Sequence, residues 1–402
     1  MTDSTITRKF IVENLAEQVI LTDTDELGGL SNYCYRNDCV FDGTITNESI
    51  VKQCRGIVFD GEEIIMKAFS YTDEFSDKDN SVVSDILDTL NEPYYVFDAW
   101  EGALIRMFCH KDKWYITTHR KLNAFKSKWA SGESYGASFK KALEWQMWGN
   151  ENLREVTRAK EHVDDLVAFQ NYLNKDRQYM FLVCNSNNNR IVCNAVIEPT
   201  MFHVGTFIDG VLDVTDDINI RKPNRYTFES TNHMLEHVNK IDYMVNPGVV
   251  VISKNRQFKV SNSRYLDLVK LRGNQPSVKF RYLQIRHDND LNMKLRMLYP
   301  EFITHFNQYD ADIIAISKII HTAYMNRFIN KQFVTVPVAD YQIIKQAHSW
   351  FIADRMNRKV TQKVIYEILN KQSDVSLNHL IKKLRAPIQI ESTPQLETMD
   401  CA

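Results

Sequence analysis

The sequence predicts an α+β fold in two parts: a mainly antiparallel-sheet domain over residues 1–272 and an all-helical domain over residues 273–390. Three observations carry this. Between Val51 and Leu271 the apolar residues fall in short β-branched or aromatic runs separated by turn residues. These runs do not alternate with long helices, as a parallel βαβ sheet would require. Beyond Pro276 the apolar period lengthens to that of amphipathic helices.

In chain order, strands are expected at 56–60, 64–66, 94–97, 103–108 and 114–118. The last two should form a hairpin through the polar stretch 109–113. Helical spacing marks 138–148 and 163–173. Further strands are expected at 190–193, 202–207, 248–252 and 258–260, with residues 253–256 turning the last pair. In the second part, Ile313, Ile316, Ile320 and Tyr324 form one helical stripe, and Val360, Ile365, Ile368 and Leu369 another. Helices are also expected at 341–358 and 376–384, with Pro300, Pro337 and Pro387 at helix ends. The Ser-Thr-Pro-containing residues 391–402 read as a disordered tail.

Several classes are excluded or disfavoured. No run of about 18 apolar residues is present for a membrane span, and Met1–Thr5 lack the layout of a signal peptide. The 7 cysteines include no CxxC pair, so they signal neither a zinc site nor a disulfide framework. Reduced thiols in the cytoplasm are expected. The formal net charge of −2 conceals an uneven division. Residues 273–390 hold 17 basic and 9 acidic residues, a net of +8, against a net of −10 for the rest. A basic domain of this kind suits either a polyanionic partner or a solvated helical surface.

Phosphate loops of the GxxxxGK[ST] type, GxGxxG, GxSxG and HExxH are all absent. What the chain offers is an ordered series: Cys54-Arg55-Gly56-Ile57-Val58-Phe59, then Val96-Phe97-Asp98-Ala99-Trp100-Glu101-Gly102-Ala103-Leu104-Ile105, then Asn189-Arg190-Ile191-Val192. Pro247-Gly248-Val249-Val250-Val251 and Phe258-Lys259-Val260-Ser261-Asn262-Ser263-Arg264-Tyr265 complete it. In order and spacing this resembles the bacteriophage RNA ligase 1-like family of covalent nucleotidyltransferases, over roughly residues 45–270. Lys270-Leu271-Arg272-Gly273-Asn274 with Phe280-Arg281-Tyr282-Leu283 is similar to divergent ligase-like proteins of large cytoplasmic DNA viruses.

The resemblance implies a nucleotidyltransferase fold followed by a helical domain. It implies a lysine in a KxDG motif that attacks the α-phosphate of ATP, with Mg2+ assisting and an RNA 5′-phosphate receiving the AMP. Such chemistry needs a deprotonated lysine, a carboxylate on the sugar, cations on the phosphates and acidic metal ligands. At the lysine position, however, stands Ala99, and at the aspartate position Glu101. Apolar or thiol residues fill 181–184 where a glutamate is expected, Pro247 replaces another, and Ser261 replaces the second lysine of the final motif. Arg55, Glu101, Arg190 and Lys259 remain as the nucleotide-binding set, and no metal ligand is identified. Ala99 is either an engineered change in an active enzyme or a natural loss; the three further departures favour loss.

A second polar signal runs from Thr117 to Trp129. Arg120, Lys121, Lys126 and Lys128 lie there with Phe125 and Trp129 interleaved and no acidic residue. This combination suits RNA, with phosphates on the cations and bases on the rings. The same spacing also suits a solvated helix whose two aromatics pack inward. Strand alternation assigns Trp100 to the core and Glu101 to the cleft.

These readings give an RNA ligase-like protein that binds RNA ends or nucleotide in a ligase-type cleft, with ATP-dependent ligation compromised at Ala99. The alternatives are a catalytically inactive pseudo-ligase that caps or sequesters RNA such as tRNA, and a scaffold for protein contacts. The expected setting is the cytoplasm, that of the host for a viral or plasmid-borne protein.

Overall fold

A computed structural model describes residues 6–385 apart from 68, 131, 162–163, 187–189 and 255. The expected tail at 391–402 and Asn189 of the third motif lie outside the described residues. The chain divides into two compact units, Met1–Lys270 and Leu271–Ala402.

Among its described residues the first unit holds fourteen strands: β1 (Val19–Asp25), β2 (Leu30–Tyr35), β3 (Arg55–Asp60), β4 (Glu63–Met66), β5 (Asp73–Ser76), β6 (Tyr94–Ala99), β7 (Gly102–His110), β8 (Lys113–Thr117), β9 (Gln178–Cys184), β10 (Met201–Ile208), β11 (Val211–Asp213), β12 (Arg225–Tyr226), β13 (Gly248–Ser253) and β14 (Gln257–Ser261). They form three sheets, ordered β1-β2-β3-β4, β11-β10-β9-β7-β8 and β12-β6-β13-β14-β5. Every pairing is antiparallel except β14 with β5. The α+β class with antiparallel sheets and a helical C-terminal region is therefore as the sequence predicts.

The first and second sheets face each other across Leu30, Val58 and Met66 on one side and Phe108, Tyr115, Met180 and Phe207 on the other. The second sheet's opposite face lies under the helices Tyr135–Gly149 and Asp165–Tyr172, with Phe139, Leu143, Phe169 and Phe181 at its centre. The third sheet is covered on one face by the helices Asn80–Thr89 and Thr231–Lys240. On its other face Phe97 and Ile252 meet Val214 from the end of β11.

Most expected strands are present within a residue or two. The β7–β8 hairpin turns at Lys111 and Asp112, both with φ near +50° to +60°, the backbone sign that type I′ turns require. Residues 190–193 are a correction. They form no strand, because the amides of Ile191 and Val192 donate to the Glu101 carboxylate instead of to a neighbouring strand. The segment after β8 is not helical either; it contains only a short 3-10 turn, Ala124–Lys126, begun by the Asn123 side chain accepting the Phe125 N–H.

The second unit is helical among its described residues: Val278–Ile285, Asn289–Leu298, Ile303–Tyr324, Val338–Ile352, Gln362–Asn370 and Asp374–Arg385. The stripe Ile313, Ile316, Ile320 and Tyr324 is buried, as are Val360, Ile365 and Leu369. The helix expected to reach 358 stops at Ile352, and residues 353–357 turn back through Asn357 N–H donating to Asp354. Part of the basic excess is matched internally, by Arg286–Asp374, Arg296–Asp310, Lys383–Asp340 and Arg385–Asp312.

One glycine is dictated by the contact between the first two sheets. Gly56 has φ +84°, and a Cβ there would lie 2.5 Å from the His119 carbonyl oxygen. Gly56→Ala should lower unfolding stability by about 2–4 kcal/mol, combining left-handed strain with overpacking. Urea denaturation followed by circular dichroism measures this; an unchanged midpoint would mean the two sheets separate freely.

Candidate nucleic-acid and nucleotide site

Two polar groupings emerge in the first unit, one on the third sheet and one where the first and second sheets meet. On the third sheet the register is decisive. Gly248 of β13 pairs with Ala99 on one side and Ser261 on the other, while Val250 pairs with Phe97 and Lys259. Cross-strand partners share a face, so Ala99, Ser261 and Lys259 all present to the face opposite the two covering helices.

Ala99 is 1% exposed. Lys259 is not a free cation: its Nζ is 3.0 Å from Glu74 Oε1 on β5 and lies 4.9 Å from the centre of the Tyr265 ring. The Ser261 hydroxyl donates to the same Glu74 oxygen at 2.6 Å. Burial disfavours the Glu74 carboxylate, but Lys259 and Ser261 outweigh it and hold its pKa below the ordinary value.

Glu101 lies just beyond the end of β6 and is 9% exposed. Its two oxygens accept the Ile191 N–H at 3.1 Å and the Val192 N–H at 2.8 Å. It therefore clamps the 190–193 loop, and Arg190, also buried, donates to the Val192 carbonyl at 3.2 Å. Burial, reinforced by the Glu101 charge, pushes the Tyr265 hydroxyl and the Cys193 thiol far above their ordinary ranges. Trp100 is half-buried against Phe202 at 5.1 Å between ring centres, in keeping with its assignment to packing.

The second grouping is cationic. Arg106 of β7 is completely buried. Its Nε donates to Thr117 Oγ1, one terminal nitrogen to the Gly56 carbonyl, and the other to Asn32 Oδ1 and the Thr118 carbonyl. Burial lowers its pKa to about 9, so it stays charged at neutral pH. Arg55 donates to the Ser70 carbonyl at 3.3 Å and Thr72 Oγ1 at 3.4 Å, the two acceptors that also serve the Gln257 amide. Because Gln257 is two residues before Lys259 on β14, Arg55 stands beside the same strand that carries the lysine.

Arg120 donates to the Tyr35 carbonyl at 2.8 Å and Asn37 Oδ1 at 2.5 Å. Among the described residues none of these three arginines has a carboxylate partner. His119 lies in their combined field, and burial together with Arg55, Arg106 and Arg120 lowers its pKa to about 3. Guanidiniums held only by neutral acceptors are not neutralised by the protein.

The four cations expected to meet RNA divide into two pairs. Arg120 turns inward as described, and Lys121 pairs with Asp23 at 3.4 Å. Lys126 and Lys128 are exposed and carry no protein partner among the described residues. Motif order thus locates Arg55, Glu101, Arg190 and Lys259, whereas Arg106, Glu74 and Tyr265 are additional. Arg106 is visible in the sequence as one charge inside the apolar run 103–108. Among the described residues no three His, Cys, Asp or Glu side chains converge as metal ligands would.

No protein-family model matches the chain. The immediate-early protein ICP-46 homolog of Invertebrate iridescent virus 6 is 29% identical over 355 residues, covering 82% of this chain and 77% of that protein. The ICP-46 homolog of Invertebrate iridescent virus 3 is 25% identical over 371 residues, 87% of this chain and 78% of that protein. Immediate-early protein ICP-46 of Frog virus 3 (isolate Goorha) is 24% identical over 272 residues, 65% of this chain and 64% of that protein.

Among solved structures, a putative ATP-dependent DNA ligase from Aquifex aeolicus has a TM-score of 0.37 at 13% identity, covering 91% of this chain and 88% of that one. An archaeal ATP-dependent RNA ligase has a TM-score of 0.38 in form 2, at 10% identity over 72% of this chain and 69% of that one. Form 1 has the same TM-score at 9% identity, over 94% and 86%.

His119 gives the site a titration signature. It stays neutral when folded but takes a proton near pH 6.5 when unfolded, so between these values the unfolded state binds more protons. Stability must therefore fall on acidification from about pH 6.5 toward pH 3. His119→Gln should reduce the loss between about pH 7 and pH 4.5 by roughly 2 kcal/mol relative to the parent. Urea midpoints at the two pH values test this, and identical pH dependence in both proteins would contradict the buried, cation-flanked placement of the ring.

Proposed function

We propose that this chain is a ligase-like RNA-binding protein that holds an RNA end or a nucleotide by its phosphates and does not adenylate itself at position 99. The observation that carries this reading is the exchange of the motif lysine for the buried Ala99, beside a Glu101 whose oxygens are already taken by backbone amides. A phosphoramide needs a free amine to attack the α-phosphate, and alanine has none. Phosphate binding, in contrast, needs cations without counter-ions. Arg55 and Arg120 supply them next to the fixed charge of Arg106.

The residues present fit the phosphates of ATP or of an RNA 5′ end. They do not fit a protein-held Mg2+, because Glu101 and Glu74 are committed to backbone amides and to Lys259 and Ser261. Binding belongs to residues 1–272, with the +8 charge of residues 273–390 adding to the attraction for a polyanion. Capping or sequestering RNA, tRNA included, follows more directly than ligation. A pure protein scaffold leaves the absence of counter-ions at Arg55 and Arg120 among the described residues unexplained. A cytoplasmic setting in a virus-infected cell accords with thiols such as Cys54 and Cys184, whose pKa burial pushes up to about 12.

Incubation with α-labelled ATP and magnesium or manganese, followed by a denaturing gel, should give no label at residue 99, and Ala99→Lys alone should not restore ligation. Arg55→Ala combined with Arg120→Ala should weaken binding of a 5′-phosphorylated RNA at least about a hundredfold, since each charged hydrogen bond contributes roughly 1.5–3 kcal/mol. Because the Ser70 and Tyr35 carbonyls lose a donor, the melting temperature should fall by several degrees while the circular dichroism spectrum stays native. Unaltered affinity in the double variant would return the scaffold reading to first place.

A further inference from the structure

A cavity of about 420 Å³ opens in the first unit between β1, β8, the turn after β8 and the helix Asp165–Tyr172. Its volume suits a small planar ligand. Trp114, Phe125 and Leu166 supply apolar walls, and Asn123, Lys126 and Gln170 supply polar groups. Phe125 is 41% exposed, so part of its ring is open to solvent.

The two carboxylates at this cavity are already neutralised. Asp25 accepts from Lys113 at 2.9 Å and from the Tyr115 hydroxyl at 2.8 Å, which together hold its pKa at about 2. Asp23 accepts from Lys121 and from the Leu122 N–H. The other polar groups stay available. Asn123 uses its oxygen on the Phe125 N–H, leaving its amide nitrogen, and neither the Gln170 amide nor the Lys126 ammonium has a partner among the described residues.

An aromatic wall, amides offering both donor and acceptor, and a free cation at the rim match a nucleobase with an adjacent phosphate. The exposed Lys126 and Lys128 continue along the same segment and provide a path for a phosphate chain. We infer that this cavity is a base subsite, taking one base of a single RNA strand stacked on Phe125 or Trp114. Gln170 and Asn123 face the base edge, and Lys126 meets a flanking phosphate. This rests on the RNA-binding reading above, and a free mononucleotide shares the chemistry.

The test uses the full chain, a labelled short single-stranded RNA followed by anisotropy across a salt series, and AMP as competitor. Phe125→Ala should weaken strand binding about tenfold, the ordinary loss for one stacked base. Lys126→Gln should make the slope of log affinity against log salt shallower by about 0.7. Strands carrying 4-thiouridine should crosslink to the peptides holding Trp114 or Phe125. Should Phe125→Ala fail to fold, Gln170→Leu carries the same expectation of weakened binding.

Unchanged affinity in Phe125→Ala and Gln170→Leu, with binding still lost in the Arg55 and Arg120 double variant, would overturn the subsite and leave the phosphate site standing. AMP binding as tightly as the strand would make this a mononucleotide pocket and equally overturn the inference. No strand binding by the parent chain at any salt would sink both readings.

Discussion

The first unit is organised around one buried positive charge. Arg106 is enclosed between the first and second sheets and tied to Gly56 and Asn32 on one and to Thr117 and Thr118 on the other. Removing a guanidinium from water costs several kcal/mol when no counter-ion accompanies it. The arrangement is tolerable because all three nitrogens find neutral oxygens. Those bonds fix the distance between the sheets, which leaves no room for a side chain at position 56. They also set the local potential, since a cation that cannot move or be neutralised acts on every group around it.

That potential explains the division of labour between the two polar groupings. Among the described residues Arg106 meets only neutral acceptors, and His119 beside it is kept uncharged. On the third sheet the opposite holds: Lys259 is matched by Glu74, and Glu101 by two backbone amides. On the third sheet the charged side chains are thus closed on one another or on backbone amides, whereas Arg55 and Arg120 meet only neutral oxygens among the described residues.

Much of this was legible in the sequence, and the failures have physical causes. Strands β7 and β8 could be read because β-branched and aromatic residues flank an obvious turn. Residues 190–193 looked equally strand-like, yet their amides are satisfied by a carboxylate about ninety positions earlier, which local pattern cannot reveal. Strand β9 is so uniformly apolar that 181–184 showed only as a missing glutamate; burial on both faces erases alternation. The spacing of Phe125 and Trp129 offered a helix, but Thr118 accepts the amides of Arg120 and Lys121 and bends the chain before one can start. For the site, motif order located Arg55 and Lys259. Their opposite situations, one open and one paired, depended on Gln257 and Glu74, whose roles no short motif encodes.

The lone parallel pairing in the third sheet has a consequence for the order in which the molecule can assemble. β5 adjoins β14, and the bond from Ser261 to Glu74 spans 187 positions. During synthesis at roughly 5–20 residues per second, β5 therefore waits about 10–40 s for its partner to emerge. Throughout that interval the strand carrying Glu74 is an unpaired edge, and the lysine that will neutralise it has not yet been made. The third sheet is thus a closing seam, and its ion pair is among the last long-range links of the first unit to form.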